Sequence, residues 1–100
     1  MDTVINRDGN KFQLILNGRL DTSNADKFAS EIEPLLIAQQ ADITIDCSGL
    51  EYTSSQGLRL FLSLQKAVIA NSGSLVMTNM DPKVKEIFDI TGFSNIIKIL

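Results

Sequence analysis

The chain of 100 residues has no histidine and no tryptophan. Without histidine it can build neither a Ser-His-Asp nor a Cys-His nucleophile, and it offers no imidazole to a metal. GxxxxGK[ST], GxGxxG and HExxH are all missing. The carboxylates are spread along the chain, with no pair spaced for acid/base work. A single cysteine, Cys47, excludes an internal disulfide, and its strand-like surroundings read as a buried thiol. No apolar run approaches the roughly 18 residues of a membrane span. The opening MDTVINRDGN lacks the basic and apolar parts of a signal peptide. The nine basic residues form no patch in a chain of net charge −3, which argues against nucleic acid or an anionic membrane as the main partner. The expectation is a cytoplasmic protein without a membrane span, cofactor or metal, and a binding or signalling module rather than an enzyme.

What is present suffices for a core. The hydrophobic share is 44%, and the length suits one domain covering residues 1–100. TVINR and KFQLILN flank DGN, a hairpin signal, with Phe12, Leu14 and Leu16 on one face and the second run stopping at GRLD. TSNADKFASEIEPLLIAQQ reads as a helix capped by Thr22 or Asp21, with Phe28, Ile32, Leu35 and Leu36 on one face. Pro34 should bend or break it near Glu33. DITIDC is a short strand with Ile43, Ile45 and Cys47 on one side, and SGLEYTS a loop. From about Gln56 to Ala70 comes a helix whose apolar residues, Leu58, Leu60, Phe61, Leu62, Leu64, Val68 and Ile69, cover a broad arc. Arg59, Ser63 and Lys66 form its polar stripe. NSG ends it and SLVMT is a strand. MDPKVKEIFDITG is a helix with Asp81 at the cap, Pro82 in the first turn and Gly92 past the end, and NIIKIL closes as a strand. The order β-β-α-β-α-β-α-β predicts an α/β fold: a mostly parallel sheet with an antiparallel edge strand and helices packed on it.

In such folds sites form beyond the carboxyl ends of the parallel strands. GRLDTSN and CSGLEYTSSQG both reach that edge, the second with Thr53, Ser54 and Ser55 in a row before Gln56 and Gly57. One hydroxyl suffices for a helix cap, at about 1 kcal/mol. Three raise the prospect of a phosphate, which a helix start tolerates through its free amides and macrodipole. Gly57 either lets a partner approach or allows the helix start to pack tightly.

IDCSGLEYTSSQGLRLFLSLQ resembles the signature of STAS domains, in particular the bacterial anti-sigma-factor antagonists. Asp46, Ser48, Tyr52, Ser55, Gly57 and Leu58 fill the family's pattern, and GRLDTSNA and TGFSNIIKI resemble its outer blocks. The resemblance covers nearly the whole chain. It implies a partner-switching cycle in which the unphosphorylated antagonist binds an anti-sigma factor with serine kinase activity. The kinase phosphorylates the serine at the helix start, the complex separates, and a PP2C-type phosphatase restores the antagonist. Carried over by position, the acceptor is Ser55, with Ser54 as the alternative hydroxyl. Asp21, Thr22, Ser23, Tyr52, Thr53, Ser54, Ser55, Gln56, Gly57 and Arg59 are then the candidate partner-binding residues. Two positions depart from the family: Ser54 stands where sporulation-type members often have aspartate, and Gln56 where a small residue is usual. A second role within the family, a scaffold subunit of a stressosome-like or lipid-transport complex, would leave Ser55 as a cap alone.

Overall fold

The computed structural model describes residues 1–100. Alternating apolar residues build the first two strands into a hairpin. β1 (Asp2–Asp8) and β2 (Lys11–Leu20) pair antiparallel, ending with Asp8 opposite Lys11. The two turn residues are therefore Gly9 and Asn10, and Gly9 takes φ 62°. A left-handed first position matches the twist of paired strands, and glycine reaches it without a Cβ clash. Instead of stopping at GRLD, β2 runs on through Gly18 and Arg19 to Leu20.

The next stretch folds as two helices, α1 (Ala25–Glu31) and α2 (Glu33–Ile37), broken at Ile32. Pro34 sits in the first turn of α2, where its missing N–H is no loss. The first helix starts later than its sequence suggests. Asn24 occupies the N-cap without a side-chain cap bond, and Asp21 and Thr22, the expected caps, lie in the turn before it.

β3 (Asp42–Thr53) is the longest strand and absorbs the stretch expected as a loop. Ile43, Ile45 and Cys47 are buried in alternation, but the next buried residues are Leu50 and Thr53. The change of period comes from two register shifts against β2, between Ile15 and Asn17 and between Gly18 and Arg19. At each shift β3 supplies one residue more than β2, as in a β-bulge, so the two-residue pattern fails after Cys47 although pairing continues.

α3 (Ser55–Ala70), β4 (Ser74–Thr78), α4 (Pro82–Ile90) and β5 (Lys98–Ile99) complete the fold. Only two residues of NIIKIL pair as strand, preceded by a 3₁₀ turn at Phe93–Asn95. α4 opens as its sequence suggests, with the Asp81 carboxylate accepting from the Lys83 amide at 2.8 Å and Pro82 in the first turn. The sheet order is β1-β2-β3-β4-β5, with all pairs after the first parallel. Right-handed crossovers that always step in one direction put every helix on the same face of the sheet. That face holds the core: Leu14, Leu16, Ile43, Ile45, Cys47 and Met77 of the strands are fully covered. Phe28 of α1, Phe61 of α3 and Phe88 of α4 meet over it, with ring centroids 5.5 and 5.9 Å apart. On α3 the buried side chains are Leu58, Phe61, Leu64 and Val68. Ile69, expected on the apolar face, is 60% exposed. No helix is long and apolar enough to cross a membrane.

Candidate functional site

Parallel neighbours end together, so adjacent strands deliver their following segments to one rim. Leu20 pairs with Thr53 at the ends of β2 and β3, and the Ser54 amide donates to the Leu20 carbonyl at 2.8 Å. Asp21–Asn24 and Ser54–Gln56 are therefore neighbours.

The three consecutive hydroxyls have separate environments. Thr53 is 2% exposed and its Oγ1 donates to the Ser54 carbonyl at 3.2 Å. Ser54 is the N-cap of α3: its Oγ accepts from the Gly57 amide at 3.2 Å. Ser55 is the first residue of the helix and is exposed, its hydroxyl uncommitted to the cap. Gln56 and Arg59 are exposed beside it. Gly57 is buried, and a Cβ there would stand 2.4 Å from Thr53 Oγ1 and 2.7 Å from Leu20 Cδ2. Of the two readings of Gly57, tight packing of the helix start holds. Thr53 and Gly57 thus lie beneath the surface where they were candidates for partner contact; they hold α3 against the end of β2.

On the other side of the rim, Asp21 folds its own turn. Its carboxylate accepts from the Ser23 amide at 3.0 Å and from the Ser23 hydroxyl at 2.6 Å. The Ser23 hydroxyl bond is the main reason its pKa lies below the usual value, with Arg19 adding a smaller attraction. Thr22 and Ser23 are exposed. Asn24 closes the turn, accepting from the Asp21 amide at 3.0 Å and donating to the Arg19 carbonyl at 2.8 Å. Asp46, on β3, bends back in the same way: the Ser48 amide donates to it at 3.0 Å and chiefly accounts for its lowered pKa.

Two residues of this region carry no signal of their own in the sequence. Arg19 lies over the Tyr52 ring at 4.4 Å, a pairing set by the β2/β3 register. Asn24, one among several polar residues in TSNAD, staples the turn. Both would have been legible only with the strand extension and its shifts in hand. The rim itself is an open surface. A cleft of about 360 Å³ lies at the other end of the strands, against Arg7, Lys11, Gln13 and Asp42.

Residues 3–100 match the family profile of the STAS domain. The chain belongs to the STAS domain family. This STAS domain is 32% identical over 95 residues to the anti-sigma-B factor antagonist of Bacillus subtilis, covering 95% of this chain and 86% of that protein. Among solved structures it is similar to an anti-sigma-factor antagonist (STAS) domain protein from Planctomyces limnophilus, with a TM-score of 0.87 and 17% identity. The match covers 99% of this chain and 89% of that one. The anti-sigma factor antagonist SpoIIAA in its unphosphorylated form matches with a TM-score of 0.81 and 19% identity, over 99% of this chain and 88% of that one. The Bacillus cell fate determinant SpoIIAA in the phosphorylated form matches with 0.75 and 18%, over 99% and 91%. At these identities the structural likenesses concern the fold.

Proposed function

We propose that this STAS domain is an anti-sigma-factor antagonist that works as a phosphorylation-gated protein–protein switch, with Ser55 as the acceptor. The observation that carries the reading is the division of labour at the helix start. Ser54 is occupied as the cap, and Ser55 is exposed at the first helical position. Modification of Ser55 therefore leaves the Ser54 cap untouched, whereas modification of Ser54 would alter the capping oxygen itself. The sequence likeness to an anti-sigma-B factor antagonist supports the antagonist role, and the fold is one that SpoIIAA structures show in an unphosphorylated and in a phosphorylated form.

In the proposed cycle, the rim of exposed Thr22, Ser23, Ser55, Gln56 and Arg59 with half-buried Asp21, Tyr52 and Ser54 docks in the cytoplasm on an anti-sigma factor that carries serine kinase activity. The Ser55 hydroxyl attacks the terminal phosphorus of ATP, ADP leaves, and the hydroxyl proton passes to the kinase. The product carries nearly two negative charges where the partner surface was shaped for a neutral hydroxyl. An unpaired charge buried in an interface costs several kcal/mol, enough to weaken affinity by orders of magnitude. A PP2C-type phosphatase hydrolyses the ester and resets the switch.

Phosphosite mass spectrometry on protein from its own cells, in growth and under stress, tests the acceptor. A phosphate on Ser55 whose occupancy changes is the expected result. With the partner in hand, titration calorimetry should show Ser55→Asp binding at least about tenfold more weakly than wild type, a loss of some 1.4 kcal/mol. Equal affinity, with Ser55 unmodified in every condition, would return this serine to a purely structural role and favour a constitutive scaffold.

A further inference from the structure

The exposed end of α3 carries a cation whose position matters once Ser55 is modified. Ser55 and Arg59 are four residues apart on one helix and are both exposed. Residues four apart share a helix face, and side chains lean toward the helix N-terminus, which puts the turn that holds Ser55 within reach of the Arg59 side chain. The other guanidinium at this rim is engaged: Arg19 stacks over Tyr52 and is attracted by Asp21. Arg59 has no such partner, and the one ion pair in the chain is the Lys85–Asp89 pair on α4.

We propose that Arg59 is an intramolecular clamp for the phosphoryl group on Ser55. This inference rests on the reading of Ser55 as the acceptor. A guanidinium presents a planar fork to two phosphate oxygens, a geometry that an ammonium group does not reproduce. The Ser54 hydroxyl occupies the Gly57 amide, and the side chain of Arg59 adds a charged, forked donor pair beside the remaining amides of the first turn. The consequence for switching is twofold. Phosphorylation brings in a dianion and at the same time draws a cation away from the docking surface, so the partner loses a favourable group as it meets an unfavourable one.

The test is a phosphorus NMR titration of the full chain with phosphoserine installed at position 55, compared with the same protein carrying Arg59→Gln or Arg59→Lys. The second ionisation of a free phosphoserine lies near about pH 6. A neighbouring cation favours the dianion, so the phosphate of the wild-type chain should ionise about 0.3 to 0.6 of a pH unit lower than that of R59Q. R59K should fall between them, and the difference should shrink in high salt. Identical ionisation in wild type and R59Q would overturn the clamp. Circular dichroism of unphosphorylated R59Q, unchanged from wild type, verifies that the comparison concerns the phosphate and not the fold. The titration is independent of whether cells modify Ser55. A phosphate found on Ser55 in cells, together with identical titrations, removes the clamp alone, whereas Ser55 unmodified in cells removes the switch on which it rests.

Discussion

Two adjacent serines with the same chemistry do different work because one residue of helical phase separates them. Ser54 has extended backbone, φ −80° and ψ 171°, which turns its hydroxyl onto the Gly57 amide. Ser55 has entered the helix and faces out. Ser54→Ala should therefore cost about 1 kcal/mol of stability through the lost cap. Ser55→Ala should stay within about 0.5 kcal/mol of wild type. Urea unfolding of the two variants checks this, and equal losses would mean that the cap has been assigned to the wrong hydroxyl. Gly57 beneath them is fixed by contact, since any side chain there would meet Thr53 and Leu20.

At the scale of elements, the end of α3 shows how two requirements divide a glycine's usual task. The Gly73 amide donates to the Val68 carbonyl at 2.8 Å and the Ser72 amide to the Ile69 carbonyl at 3.1 Å, a Schellman ending. The left-handed position belongs to Ser72, with φ 62°, and not to Gly73. Gly73 is held by crowding, because a Cβ there would lie 2.4 Å from the Ala41 carbonyl oxygen. Ser72 is exposed and strained. Ser72→Gly should thus raise stability by about 0.5 to 1 kcal/mol, read as an increase in Tm or in the urea midpoint. Unchanged or lower stability would show that the left-handed serine carries no strain worth relieving. Between α1 and α2 one residue likewise serves both helices: Ile32 is the C-cap of the first and the N-cap of the second, with Pro34 in the first turn that follows.

For the whole molecule, the titrating groups predict a stability plateau with a loss at each end. Asp21, Asp46 and Asp89 have lowered pKa values, led by bonds to Ser23, Ser48 and Ser94 respectively. A depressed carboxylate stabilises the fold above its unfolded pKa of about 3.9, and that contribution disappears as pH falls through the folded value. Burial pushes the Cys47 thiol up to about 12, with the nearby Asp46 charge acting in the same direction. Its contribution is complete below the ordinary thiol range and is lost as pH rises from about 9 towards 12. Thermal unfolding across pH should show both limbs. The stability of wild type relative to Cys47→Ala should decline on the alkaline side only; a constant difference there would mean that the thiol does not titrate with unfolding. Of these groups only Cys47 lies on the covered sheet face, where Phe28, Phe61 and Phe88 join three helices to a single core.

The sequence by itself determined the composition of elements and their order. Apolar period, Pro34, the Asp81-Pro82 start and the hairpin around Gly9 are local signals, because each acts within a few residues of the chain. It also placed Ser55 and Asp21 at the ends of successive strands, and so on one edge. Only the tertiary structure decided how far those strands run. Residues 48–53 look like a loop because the bulges in β3 break its alternation, and pairing with β2 is a contact between segments distant along the chain. The same contact decided which hydroxyl is buried, which caps and which is exposed. It also decided that Arg19 lies over Tyr52 while Arg59 stays unpaired, since register between strands is set where the chain folds back on itself.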